Sequence, residues 1–106
     1  MSHVTTHVLD SAHGRPAAGL HVRLLHGDVE LATGVTDADG RVATLGPDAL
    51  REGTYQLVFA TGAWFADRGI ATFYPEVRIA FGVDGDPHYH VPLLLSPFGY
   101  STYRGS

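Results

Sequence analysis

His88-Tyr89-His90-Val91-Pro92-Leu93-Leu94-Leu95 is the stretch that decides how this chain folds. Side chains alternate between the two faces of a β-strand. Read as a strand, the stretch sets Tyr89, Val91, Leu93 and Leu95 on one side, a good core face. His88, His90, Pro92 and Leu94 fall on the other, so two imidazoles share a face with apolar groups. An ordinary sandwich leaves that face polar and wet. Val4-Thr5-Thr6-His7-Val8-Leu9-Asp10 repeats the pattern near the other end of the sequence. There Val4, Thr6 and Val8 make the core side, and His3, Thr5, His7 and Leu9 share the opposite one.

Working outward from these two strands, turn signals divide the remainder into short alternating runs. Ser11 to Gly19 is a loop punctuated by Gly and Pro. Leu20, Val22 and Leu24 alternate with His21, Arg23 and Leu25, and Gly27-Asp28 turns the chain. Val29, Leu31, Thr33 and Val35 continue the alternation. Asp37-Ala38-Asp39-Gly40 reads as a turn, since its Gly takes positive φ and its Asp side chains bond the turn backbone. Arg41 to Leu45 is a short strand. Gly46 to Gly53 is a loop with one helical turn after Pro47. Thr54 to Ala60 is a strand with Tyr55, Leu57 and Phe59 on one face. Thr61 caps a short helix through Trp64-Phe65-Ala66-Asp67-Arg68, which Gly69 ends. Pro75 precedes a strand with Val77, Ile79, Phe81 and Val83 inward. Gly82 to Pro87 turns, and Phe98 to Arg104 is the last strand. About eight strands with turns between them predict an all-β sandwich, in one domain spanning residues 1–106.

Composition narrows the function classes. The 106 residues can bury roughly two-thirds of their unfolded surface, enough for one core without staples. With no cysteine, a disulfide framework and a thiolate zinc site are both excluded. The net charge of −4 is dispersed, and no basic stripe points to nucleic acid. The apolar run Val91 to Leu95 holds a proline and is too short for a bilayer. No charged region precedes an apolar one near Met1, so no signal peptide and no membrane partner are expected, and the default is a cytoplasmic protein. Seven histidines against seven Lys and Arg hint at chemistry near neutral pH.

The chemistry-bearing motifs are few. His88 and His90 lie about 7 Å apart along one strand face. They suit zinc with a third ligand from a neighbouring strand, His7 for instance, or they are solvated polar residues. Asp37-x-Asp39-Gly40 lacks the other ligands of a calcium loop and is a hairpin turn. On local grounds Arg41 is a solvated turn residue. Trp64-Phe65 is packing. Gly82-Val83-Asp84-Gly85-Asp86 has neither the context nor the lysine of a phosphate loop. There is no nucleophile elbow. What remains is a hydrolytic or lyase-like site with a histidine base and an arginine electrophile, its substrate unidentified.

Thr6-His7-Val8-Leu9-Asp10, Thr36-Asp37-Ala38-Asp39-Gly40-Arg41, His88-Tyr89-His90-Val91-Pro92-Leu93-Leu94 and the ending Tyr103-Arg104-Gly105-Ser106 resemble the transthyretin-related 5-hydroxyisourate hydrolases. The resemblance covers nearly the whole chain, and the ending is its most specific part. It implies a transthyretin-like sandwich of two four-stranded sheets with one short helix. It also implies a homotetramer, a dimer of dimers, with active sites at the mouths of a central channel. The substrate implied is 5-hydroxyisourate, whose six-membered ring is opened by amide hydrolysis in urate breakdown, with no cofactor and no metal. His7, Arg41 and His90 are implied as catalytic residues, with His7 favoured as the base. Tyr103, Arg104, Gly105 and Ser106 are implied to complete the pocket. A non-catalytic transthyretin-like carrier and a zinc hydrolase using His7, His88 and His90 are the competing readings.

Overall fold

Alternation carries most of the chain into strands, and burial follows it. The structure, a computed structural model, describes residues 2–106. The described elements run β1 (Val4–Asp10), β2 (Arg15–Pro16), β3 (His21–His26), β4 (Val29–Val35), β5 (Arg41–Val42) and β6 (Gly53–Phe59). The helix α1 (Thr61–Ala66) follows, and then β7 (Val77–Val83), β8 (Tyr89–Ser96) and β9 (Gly99–Thr102). One sheet has the order β2-β1-β8-β9, with β5 added on β1; the other is β4-β3-β6-β7. The expected pair of four-stranded sheets is thus four strands against five, because two-residue strands β2 and β5 extend the first sheet.

The inward faces meet in one core. β1 buries Val4, Thr6 and Val8, and β8 buries Tyr89, Val91, Leu93 and Leu95. Leu20, Leu24, Leu57, Phe59 and Phe65 are wholly buried opposite them. Each such side chain contributes about 1.5–3 kcal/mol on leaving water. The outward residues Thr5, His7, Leu9, His90 and Leu94 are only half-buried, as the alternation predicts, whereas Pro92 is buried.

The pairing that builds the site is β1 with β8, which run parallel with Thr5 opposite His90 and His7 opposite Pro92. It places the two histidine-bearing faces side by side although they lie at opposite ends of the sequence. β5 then lies antiparallel to β1, with Arg41 opposite His7. The Asp37–Gly40 turn fixes that position. Asp37 Oδ1 accepts from the backbone N–H groups of Asp39 (2.9 Å) and Arg41 (3.0 Å). Gly40 has φ 77°, and its carbonyl accepts from Val8 N at 2.7 Å. A side chain there would run into the Val8 carbonyl as well as straining the backbone.

Other local expectations shift. The strand expected over 41–45 ends at Val42, and Leu45 is instead buried with its N–H on Ser2 Oγ. No helical turn follows Pro47. Thr61 is not the cap: Ala60 holds that position, and Thr61 Oγ1 donates to the Tyr74 carbonyl from inside the helix. Gly69 does take positive φ, 68°, just past the helix end. Val29, Leu31 and Val35 are exposed, because β4 turns Ala32 and Gly34 to the core instead. Among the described residues no helix is long and apolar enough to cross a membrane.

Candidate active site

The outward face of β1 and β8 forms one wall of a cleft of about 260 Å³, lined by Thr5, Arg41, Val42, His88, His90 and Ser106. Arg41 arrives from the Asp37–Gly40 turn, the histidines from β8 and its approach, and Ser106 from the tail.

His90 is the best-prepared group in it. Its Nδ1 lies 2.9 Å from Thr5 Oγ1, and its Nε2 has no hydrogen-bond partner among the described residues. Burial holds its pKa below the ordinary 6.5, and the Arg41 guanidinium pushes the same way, as does any proton on neighbouring His7 or His88; a Thr5 backbone hydrogen bond opposes them. The ring is therefore neutral near pH 7. His88 Nε2 reaches the same Thr5 hydroxyl at 3.0 Å. His7 stands opposite Arg41, and its Nε2 donates to the Asp39 carbonyl at 2.8 Å.

The tail is divided. Gly105 bridges to His90, donating its N–H to the His90 carbonyl at 2.9 Å. A Cβ on Gly105 would come within 2.5 Å of His90 Cδ2, so only glycine lets the tail lie against the ring. Ser106 enters the cleft. Tyr103 and Arg104 line a neighbouring groove between β7 and β8 instead. The Arg104 guanidinium donates to Asp86 Oδ2 at 2.8 Å and lies 4.8 Å from the Tyr89 ring centre. Asp86 raises its pKa, and its charge is spent there rather than beside the imidazoles.

His3 departs from the alternation. It precedes β1 and is buried. Its Nδ1 accepts from Leu50 N at 2.8 Å and its Nε2 donates to the Asp86 carbonyl at 2.6 Å. It is a structural histidine. Among the described residues no three His, Asp or Glu side chains converge as metal ligands. A hydroxyl, not an open position, lies between His88 and His90.

Sequence reasoning gave Thr5 no role, although alternation set it beside His7. Its contacts to His88 and His90 span 83 and 85 positions, and only the parallel β1–β8 register reveals them.

Fold and cleft together define a two-sheet β-sandwich with a histidine–arginine site on the outer face of one sheet. Residues 4–105 match the model of the HIUase/Transthyretin family, and the chain belongs to that family. The 5-hydroxyisourate hydrolase of Caulobacter vibrioides is 49% identical over 115 residues, covering 100% of both chains. That of Mus musculus is 45% identical, over 99% of this chain and 96% of its own. Among solved structures, Klebsiella pneumoniae 5-hydroxyisourate hydrolase superposes with a TM-score of 0.92 at 44% identity, covering 100% of this chain and 94% of that one. Sea bream transthyretin in complex with thyroxine gives 0.89 at 30% identity, over 97% and 94%.

Proposed function

We propose that this chain hydrolyses 5-hydroxyisourate to 2-oxo-4-hydroxy-4-carboxy-5-ureidoimidazoline, opening the six-membered ring at an amide bond in urate breakdown. The observation that carries the reading is the convergence of Arg41 and a neutral His90 with a free Nε2 in one cleft, in a chain whose relatives bear that name.

Chemistry follows from the donor and acceptor inventory. Water enters the cleft and gives a proton to His90 Nε2 as its oxygen bonds the scissile carbonyl carbon. Arg41 donates to the carbonyl oxygen as it gains negative charge. Collapse of that intermediate breaks the C–N bond, and the nitrogen takes a proton back from His90 Nε2. His7 was the sequence-based choice of base. Its Nε2 donates to the Asp39 carbonyl, and it is His90, not His7, that lines the cleft, so we assign the proton to His90 and the holding of the turn to His7. Gly105 and Ser106 close the tail side of the cleft, and Tyr103 and Arg104 continue the surface into the next groove. The reaction needs no group beyond these side chains and water.

The working form we propose is a cytoplasmic homotetramer, a dimer of dimers with the clefts facing a shared channel. The exposed Phe98, Tyr100 and Tyr103 on and beside edge strand β9 support a subunit contact there. Following the ultraviolet decay of freshly made 5-hydroxyisourate with and without the protein tests the activity. Light scattering tests the assembly. A decay that the protein does not accelerate refutes the assignment.

A further inference from the structure

A threonine hydroxyl has one proton to donate, and Thr5 Oγ1 stands between two imidazole nitrogens, 2.9 Å from His90 Nδ1 and 3.0 Å from His88 Nε2. It can donate to one ring while accepting from the other. In that arrangement the two histidines are locked into matched tautomers. When Oγ1 donates to His88 Nε2, His90 carries its proton on Nδ1 and bares Nε2 to the cleft, the form of a base. When Oγ1 donates to His90 Nδ1, His90 carries its proton on Nε2, the form of an acid, and His88 holds a proton on its own Nε2.

We propose that Thr5 is the positioning residue that switches His90 between these forms by relaying a proton to and from His88. The relay rests on the hydrolase reading above and deepens it. As water gives a proton to His90 Nε2, the Nδ1 proton passes to Thr5 Oγ1 and the hydroxyl proton passes to His88 Nε2. His88 becomes the cation, while His90 stays neutral and presents an N–H. When the leaving nitrogen takes that proton, the chain runs backward: His88 Nε2 returns a proton to Oγ1, and Oγ1 returns one to His90 Nδ1. Protons balance over the cycle, and one imidazole serves as base and then as acid.

The setting suits this. His90 is flanked by Arg41 from β5, His7 from β1 and His88 from the approach to β8, all of which disfavour a positive charge on its ring. Moving the proton on to His88 keeps the positive charge off that ring. Thr5 faces His90 directly in the β1–β8 register, so the backbone itself holds the relay distance.

Imidazole ¹⁵N spectra of the wild-type protein read the ground state without any turnover. Above pH 7, His90 Nε2 is expected to show an unprotonated shift and His90 Nδ1 a protonated one, with His88 likewise unprotonated at Nε2 and protonated at Nδ1. Thr5→Val keeps the shape, removes the hydroxyl and should scramble both tautomers. Its kcat should fall about tenfold or more, as for a lost acid–base element, with KM within about twofold. Thr5→Ser should recover to within about threefold of wild type. Thr5→Val and His88→Asn cut the same relay, so the double variant should lose little more than the worse single one. Fully additive losses, wild-type kcat in Thr5→Val, or a wild-type His90 protonated on Nε2 would each overturn the relay. Failure of wild-type protein to turn over 5-hydroxyisourate would instead remove the substrate assignment, and the spectra would still decide whether Thr5 pairs the two rings.

Discussion

His3 and His90 lie on either side of Tyr89, one packed against its ring with centroids 5.3 Å apart and the other next in sequence, yet their chemistry differs. His3 is buried with both ring nitrogens bonded to backbone groups. His90 is half-buried, with one nitrogen on a hydroxyl and the other free. Burial alone does not make a functional histidine. A nitrogen left for substrate, in a setting that disfavours the proton's charge, does.

Changes on the cleft side of this comparison should cost rate, and those on the His3 side should cost stability. Arg41→Gln should have the largest effect, a loss of about 10²–10³ in kcat if Arg41 holds the developing oxyanion. A loss under tenfold would move that role elsewhere. Gly105→Ala comes next: its Cβ must displace the His90 ring, and turnover should fall by tens of fold with the melting temperature nearly unchanged. A retained rate would show that the ring yields freely.

Deleting Arg104, Gly105 and Ser106 should cut turnover at least about tenfold, roughly 1.4 kcal/mol. The protein should still elute as the parent assembly and melt within a few degrees of it. Chain ends usually tolerate trimming, so full activity would return the tail to that ordinary status, and dissociation would make it structural. His88→Asn should cost less than the same change at His90. His3→Phe should leave kcat within about twofold while destabilising the fold by about 1–3 kcal/mol, because the Leu50 N–H and the Asp86 carbonyl lose their partner. Loss of rate without loss of stability there would contradict its structural assignment.

Much of this was legible in the sequence. Period-two alternation separated Val4, Thr6 and Val8 from Thr5 and His7, and Val91 and Leu93 from His90. The Asp37–Gly40 turn declared itself through residues that favour one backbone geometry. What stayed hidden depends on contacts distant in sequence. The parallel register of β1 with β8 leaves no local trace, so Thr5 looked like any strand threonine. The resemblance places Arg104 in the pocket, and nothing local shows that Asp86 and Tyr89 meet it on folding. Short elements depart from local propensity where tertiary bonds override it, as at Thr61, whose hydroxyl serves Tyr74 rather than the helix end.

The most direct test of the account is the pH dependence of kcat/KM for 5-hydroxyisourate in the wild type and in His90→Asn. His90 must be neutral to accept a proton, and its pKa lies below 6.5. The acid limb of the rate should therefore have its midpoint below pH 6.5. His90→Asn should be slower by about a hundredfold and should lose that acid limb. An acid limb that persists unchanged in His90→Asn, or a variant as fast as the wild type, would contradict the assignment of the base to His90.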